Sequence, residues 1–419
     1  MSAEDIAVLR GLAARYRDIA ADPVMDVRRD LWRRHNSLQR TRPLIYVRAF
    51  GWREMAASTL RCHDPFYRHY EDALRQSLFR HTFEDDFIFE PWVTVRAACI
   101  TPPEGVWGLA VPRIHSDEAR GSFVWDPPLK AEADIDRLVA PHHVIDEIET
   151  SRRVEKLRCA IGDLISIHVD RQPAYTVWNG DISTQLAYLR GLEQIMWDMI
   201  DRPEWLHRLL AFMRDGILRT HEEAERAGDW TLSSHQNQAM PYAGELPDPA
   251  PASERATVSG GSASEAVSRK QLWTFLASQE TTAVGPKQFD AFMLQYQIPI
   301  MAPFGLVAYG CCEDLTRKID VLREIPNLRR IAVSPMANVG RCAAQIGRDY
   351  VLSYRPSPTE MVGYGFDPHK VRDILTRDLE ACGDCHVDIT LKDVETVQGD
   401  PDRIRRWVEV TREVIATLY

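Results

Sequence analysis

The chain reads as an α/β protein of the (β/α)8 barrel class, on three observations. Short apolar runs rich in β-branched or aromatic residues recur eight times along it. Segments with apolar residues at helical spacing separate most of these runs. The length of 419 residues, with 45% hydrophobic and 27% charged content, suits one large domain with a sizeable core, within the range of a barrel carrying insertions. Strands alternating with helices imply parallel βαβ units, and eight such units imply a barrel.

Residues 1–40 are expected as an N-terminal helical extension, because IAVLRGLAARY and VMDVRRDLWRRH both space their apolar residues at helical period. Residues 41–419 are expected to form the barrel. Its strands are placed at LIYV (44–47), FIFEPW (87–92), PAYTVW (173–178), LWTFLAS (272–278), GLVAYG (305–310), LRRIAVS (328–334), YVLSY (350–354) and HVDITL (386–391). PFYRHYEDALRQSLFRH, RPEWLHRLLAFMRDGILRTHEEAERAG and DPHKVRDILTRDLEA are among the helical segments between them. The Pro- and Gly-rich stretch 93–130 is expected to hold a small β excursion. A flexible insertion is expected at 244–270, where Pro, Ala, Ser and Gly offer too little apolar area to offset the entropy of ordering the backbone.

Composition narrows the function. A net charge of -10 with no dense Lys/Arg block argues against nucleic acid and anionic membranes and for a small-molecule substrate. The opening MSAEDIAVLRGL does not read as a signal peptide, and no apolar run is long enough for a membrane span, so a cytoplasmic location is expected. The eight cysteines show no disulfide-framework spacing and are expected as thiols or metal ligands. SGGSAS has no strand-to-helix context and no following Lys-Ser/Thr, so it is no phosphate loop.

In a barrel the reactive side chains sit at the C-terminal ends of strands. That rule directs attention to YGCCEDL, which follows the fifth run and sets Cys311 and Cys312 beside two carboxylates. The pair is expected as a nucleophilic thiolate or as two ligands of Zn2+, with His235, Glu280 and substrate completing the metal's shell; no cofactor at all is the other option. Two small buried hydrophobes are the plain alternative. Other strand ends contribute Glu90, Glu280 and Asp393 as candidate acid/base groups. Tyr175, Trp178, Gln279, Arg355, Lys392 and His235 are candidate substrate-binding residues, with Arg355 or Lys392 as holder of an anionic group. A ring of structural ion pairs is the alternative for the charged members.

Several stretches resemble the uroporphyrinogen decarboxylase superfamily. PAYTVWNGDIS followed by MIDRPEWLHRLLAFMRDGIL is similar to its third strand and following helix, and VPRIHSDEARGSFVWDPPLKAEADIDRL to its short β excursion. LWTFLASQETTAVGPKQFDAFMLQY and IGRDYVLSYRPSP match later strand–helix signatures in the same order. The superfamily contains cofactor-free porphyrinogen decarboxylases and zinc-dependent methyltransferases that move methyl groups between corrinoid proteins and thiols. Here VRAFGWRE replaces the decarboxylase's arginine clamp, and FIFEP offers Glu90 where the decarboxylase has aspartate. Tyr309-Gly310-Cys311 stands at the methyltransferases' H-x-C, while LKDVETV lacks their further cysteine. The resemblance therefore implies a divergent branch nearer the methyltransferases, with a corrinoid protein as partner and a homodimer as an assembly option. Methyl or C1 transfer is the leading expectation. A cofactor-free decarboxylase or lyase acting on a small carboxylate is the second, and a non-catalytic tetrapyrrole- or corrinoid-binding protein the third.

Overall fold

A computed structural model describes residues 2–48, 50–118, 121–252 and 267–419. It is a mixed α/β fold with eight parallel strands, labelled here in chain order: β1 Leu44–Val47, β2 Trp92–Arg96, β3 Ser166–Asp170, β4 Trp273–Leu276, β5 Leu306–Tyr309, β6 Leu328–Val333, β7 Val351–Tyr354 and β8 His386–Leu391. Six of them form one parallel sheet in the order β1-β8-β7-β6-β5-β4. The other two, β2 and β3, form a separate parallel ladder from Trp92↔Ser166 to Arg96↔Asp170. Single backbone bonds lie at the sheet margins, from Asp86 N to the Ile45 carbonyl and from Gln236 N to the Trp273 carbonyl. Much of the expected flexible insertion, 253–266, lies outside the described residues.

Six of the eight runs picked out by composition are strands where expected, and two are displaced. The run at 87–92 is irregular because Pro91 has no N–H to give a ladder, so β2 starts only at Trp92 and Glu90 precedes the strand instead of following it. The run at 173–178 begins with a proline and turns at Val177, whose φ is +52°; the strand is the alternating SIHVD just before it. The β excursion is present as two short antiparallel pairs, Ala98–Cys99 with Ile145–Asp146 and Arg113–His115 with Phe123–Trp125.

Strands of the large sheet are buried on both faces, which is why they read as continuous apolar runs. Ile45, Val47, Val307, Tyr309, Ile331 and Val333 join a large core with the flanking helices. Trp273, Phe275, Leu306 and Ala308 face the other way, together with Cys311. On that second face lies a polar group: Asp388 accepts from Arg330 Nη2 at 2.5 Å and from Ser353 at 3.0 Å, and its Oδ2 lies 3.2 Å from His35 Nε2. His35 comes from helix α2, Val24–Asn36, whose Trp32 donates its indole N–H to the Asp86 carbonyl. Helix α1, Ala3–Ala20, packs Leu9, Leu12 and Tyr16 into a second core with β2 and the helices Pro65–His81 and Glu147–Ile161.

Candidate active site at the Cys311–Cys312 pair

The β5 strand stops at Tyr309, and Gly310 follows with φ +96°, a backbone conformation that side-chain-bearing residues rarely adopt. A Cβ there would also lie 2.7 Å from Leu315 Cδ1. Glu313 then stitches the turn: its carboxylate accepts from Cys311 N at 2.7 Å and from Ser278 N, just past β4, at 2.8 Å. Arg355, following β7, donates Nη1 to the Cys311 carbonyl at 2.7 Å. Adjacent side chains diverge on a strand, but this turn brings the two sulfurs to 3.7 Å.

Lys392, following β8, completes the arrangement. Its Nζ lies 3.3 Å from Cys311 Sγ and 2.9 Å from Cys312 Sγ, and it donates to Asp393 Oδ2 at 2.7 Å. Cys311 and Lys392 are buried, while Cys312 reaches solvent. The Cys312 thiol donates to Cys311 and, with the positive charges of Arg355 and Lys392 and the nearby Gln238 amide, lowers the Cys311 thiol to about 5 against the opposing effect of burial. The same hydrogen bond, with burial, pushes Cys312 up. Burial would lower the Lys392 ammonium, yet the Cys311 charge outweighs it and the net direction is upward. Near neutral pH the pair therefore shares one proton and carries one negative charge, with the Cys311 sulfur its favoured holder.

A zinc ion needs four ligands in tetrahedral array. Here two sulfurs are at hand, and the Lys392 ammonium lies within 3.3 Å of both, in the position a cation would take. His235 instead accepts from Trp273 N at 3.1 Å, and Glu280 accepts from Ser183 at 2.7 Å and Thr184 at 3.0 Å. Tyr309 faces the helix side and donates to Gln297 Oε1 at 2.7 Å. Among the described residues no cluster of three or more His, Cys, Asp or Glu side chains is arranged to hold a metal. The residues present do not fit Zn2+.

Of the residues singled out from sequence, the fold gathers Cys311, Cys312, Arg355, Lys392 and Asp393. Trp178 packs edge-to-face on Phe275 beside the cluster that contains Cys311. Gln279 donates to Glu280 at 3.3 Å. Tyr175 is a buried support: its hydroxyl donates to the Val106 carbonyl and its own carbonyl accepts from His221. Glu90 is held by Tyr242 at 2.7 Å and Arg29 at 3.3 Å, and with His235 it lines a different cavity. Sequence reasoning missed Glu313, Gln238 and Asp181. Glu313 stands in the same short motif, so its place was available; Gln238 reaches Cys311 from a segment with no periodic signal. Asp181, fully buried and bonded to Thr184, has its carboxyl raised by burial and then by Glu280.

No protein-family model matches the sequence, and no curated protein matches it. Among solved structures, a methyltransferase from Methanosarcina mazei is similar in fold, with a TM-score of 0.53 over 92% of this chain and 98% of that one, at 11% sequence identity. At that identity the likeness is one of fold.

Proposed function

We propose that the chain is a methyl- or C1-group-transfer enzyme, a divergent relative of the uroporphyrinogen decarboxylase superfamily with its eight parallel strands arranged as one closed barrel. The observation that carries this reading is the Cys311 thiolate, held between Cys312, Lys392 and Arg355 at the strand ends. The likeness in fold to a methyltransferase supports it.

In the transfer, the Cys311 sulfur lone pair attacks the methyl carbon of a donor. An S–C bond forms as the bond from that carbon to its leaving atom breaks, and the donor departs with the bonding pair. A thiolate with a lowered pKa is present in quantity but is individually a weaker nucleophile. Burial counters this by removing its water shell. The Cys312 thiol and Lys392 ammonium hold the charge before attack and release it as the neutral thioether forms. A corrinoid protein is the partner for methyl exchange in this reading.

The test is intact-protein and peptide mass analysis after incubation with methylcobalamin, a methylsulfonium donor and a quaternary methylamine. One methyl group should appear on the Cys311 peptide with at least one donor and be absent in Cys311→Ser. Absence of methylation from every donor, or an equal gain in Cys311→Ser, overturns the reading.

A further inference from the structure

Methyl transfer forms a bond to one sulfur of the Cys311–Cys312 pair, and the second sulfur stands 3.7 Å away. Lys392 Nζ lies 2.9 Å from Cys312 Sγ and 3.3 Å from Cys311 Sγ, within reach of both. Cys311 is 4% exposed, whereas Cys312 reaches solvent and lies 3.7 Å from Asp393 Oδ2. A charged sulfur that a small reagent can reach, beside a second thiol, is the arrangement that oxidants convert first. The thiolate is the nucleophile, and its neighbour resolves the product.

The other cysteines supply the contrast. Cys382 and Cys385 stand at C-x-x-C spacing at the end of the helix Pro368–Cys382, yet burial first of all pushes both thiols up, Cys385 to about 11 and Cys382 further. Cys62, Cys99 and Cys342 are also raised by burial, and Cys159 by its bond to Glu155. Spacing alone therefore does not make a reactive pair here; the lysine and the turn after β5 do.

We infer that Cys311 and Cys312 form a reversible redox switch whose reagent is a hydroperoxide. The charged sulfur attacks one peroxide oxygen. An S–O bond forms as the O–O bond breaks, and the departing hydroxide or alkoxide takes a proton from solvent. The neighbouring thiol then attacks the sulfenic sulfur. An S–S bond forms as the S–O bond breaks, and the hydroxyl leaves as water with that thiol's proton. The dithiol loses two electrons and the peroxide gains them. Neighbouring residues have their Cα atoms about 3.8 Å apart, below the roughly 4.4–6.8 Å of most disulfides, so the closed ring is strained and readily reduced. A small thiol reopens it in two exchange steps and leaves as its own disulfide. Closing consumes the sulfur used in methyl transfer, and only that consequence rests on the function proposed above.

The experiment treats the full chain with a small excess of hydrogen peroxide and no methyl donor. The sample is then quenched, denatured, labelled with N-ethylmaleimide and read by peptide mass. The peptide holding Cys311 and Cys312 should become lighter by two hydrogens and take no label, at least tenfold faster than the Cys382–Cys385 peptide. Dithiothreitol should restore both labels. Cys312→Ser should stop at a sulfenic acid on Cys311, trapped by dimedone, and Lys392→Met should slow closure at least tenfold. Both residues still labelled, closure no faster than at Cys382–Cys385, or a product that dithiothreitol does not reverse overturns the inference. The oxidation is thus judged apart from methylation of Cys311. With a donor that methylates the reduced chain, the closed chain should take no methyl group until dithiothreitol is added, and methylation of the closed chain overturns its action as a switch.

Discussion

At the scale of single residues, Lys392 is the feature that separates this centre from a metal-thiolate one. A buried ammonium beside two sulfurs favours the charged form of one of them, much as a bound cation would, but it remains tethered to β8. Alkylation of the pair by iodoacetamide, followed by peptide mass analysis across pH, should therefore show a first sulfur reacting with a midpoint well below that of a free thiol and the second only at far higher pH. Lys392→Met should raise that first midpoint by roughly 1–2 pH units, the usual effect of an opposite charge at this range. An unmoved midpoint would show that the lysine merely packs there. The cysteines and the lysine were visible in the sequence as strand-end residues. Their common proton was not, because it depends on sulfurs from one turn and an ammonium from a strand some eighty residues later meeting within hydrogen-bond reach.

Elements set where those residues point. Replacing Gly310 by alanine demands a rare positive φ from a residue with a Cβ and drives that Cβ toward Leu315 and Ala332. The expected cost is about 1–3 kcal/mol, read from urea denaturation, together with slower Cys311 alkylation as the turn relaxes and the sulfurs separate. Full stability with unchanged alkylation would refute the role given to the turn. The displaced strands show the limit of element-level reading. FIFEPW and PAYTVW carry strand-like composition, but each contains a proline, and SIHVD, with its alternating polar residues, was passed over because it is less apolar. The five later strands and the first were legible because each is buried on both faces, which writes an uninterrupted apolar run into the sequence.

For the whole molecule, burial of neutral imidazoles sets an acid limit. Burial lowers His221 to about 4, and His235 likewise to about 4, from an ordinary value near 6.5. The unfolded chain then binds more protons than the folded one across that window. Stability consequently rises with pH between these values and is lost as pH falls from about 6.5 toward about 4, by about 1.4 kcal/mol per pH unit for each histidine. Chemical denaturation at a series of pH values should show this slope, and His221→Phe should flatten part of it. A stability that is flat down to pH 4 would contradict the burial. The network of His35, Arg330, Ser353 and Asp388 adds to the same dependence on correct assembly, since Asp388 is fully buried and its burial penalty is outweighed by Arg330 and then His35.

The sequence by itself determined the α/β class, the positions of six strands and the cysteine pair as a strand-end motif, because these rest on local composition and on the rule that barrel-like folds expose reactive groups at strand ends. Only the tertiary structure decided that Lys392 stands between the sulfurs, that Glu90 and His235 belong to a cavity of their own, and that Gln238 and Glu313 attend Cys311. Those are contacts between residues remote in the chain or turned by a single backbone angle. Their energies depend on distance and burial, which no local pattern encodes.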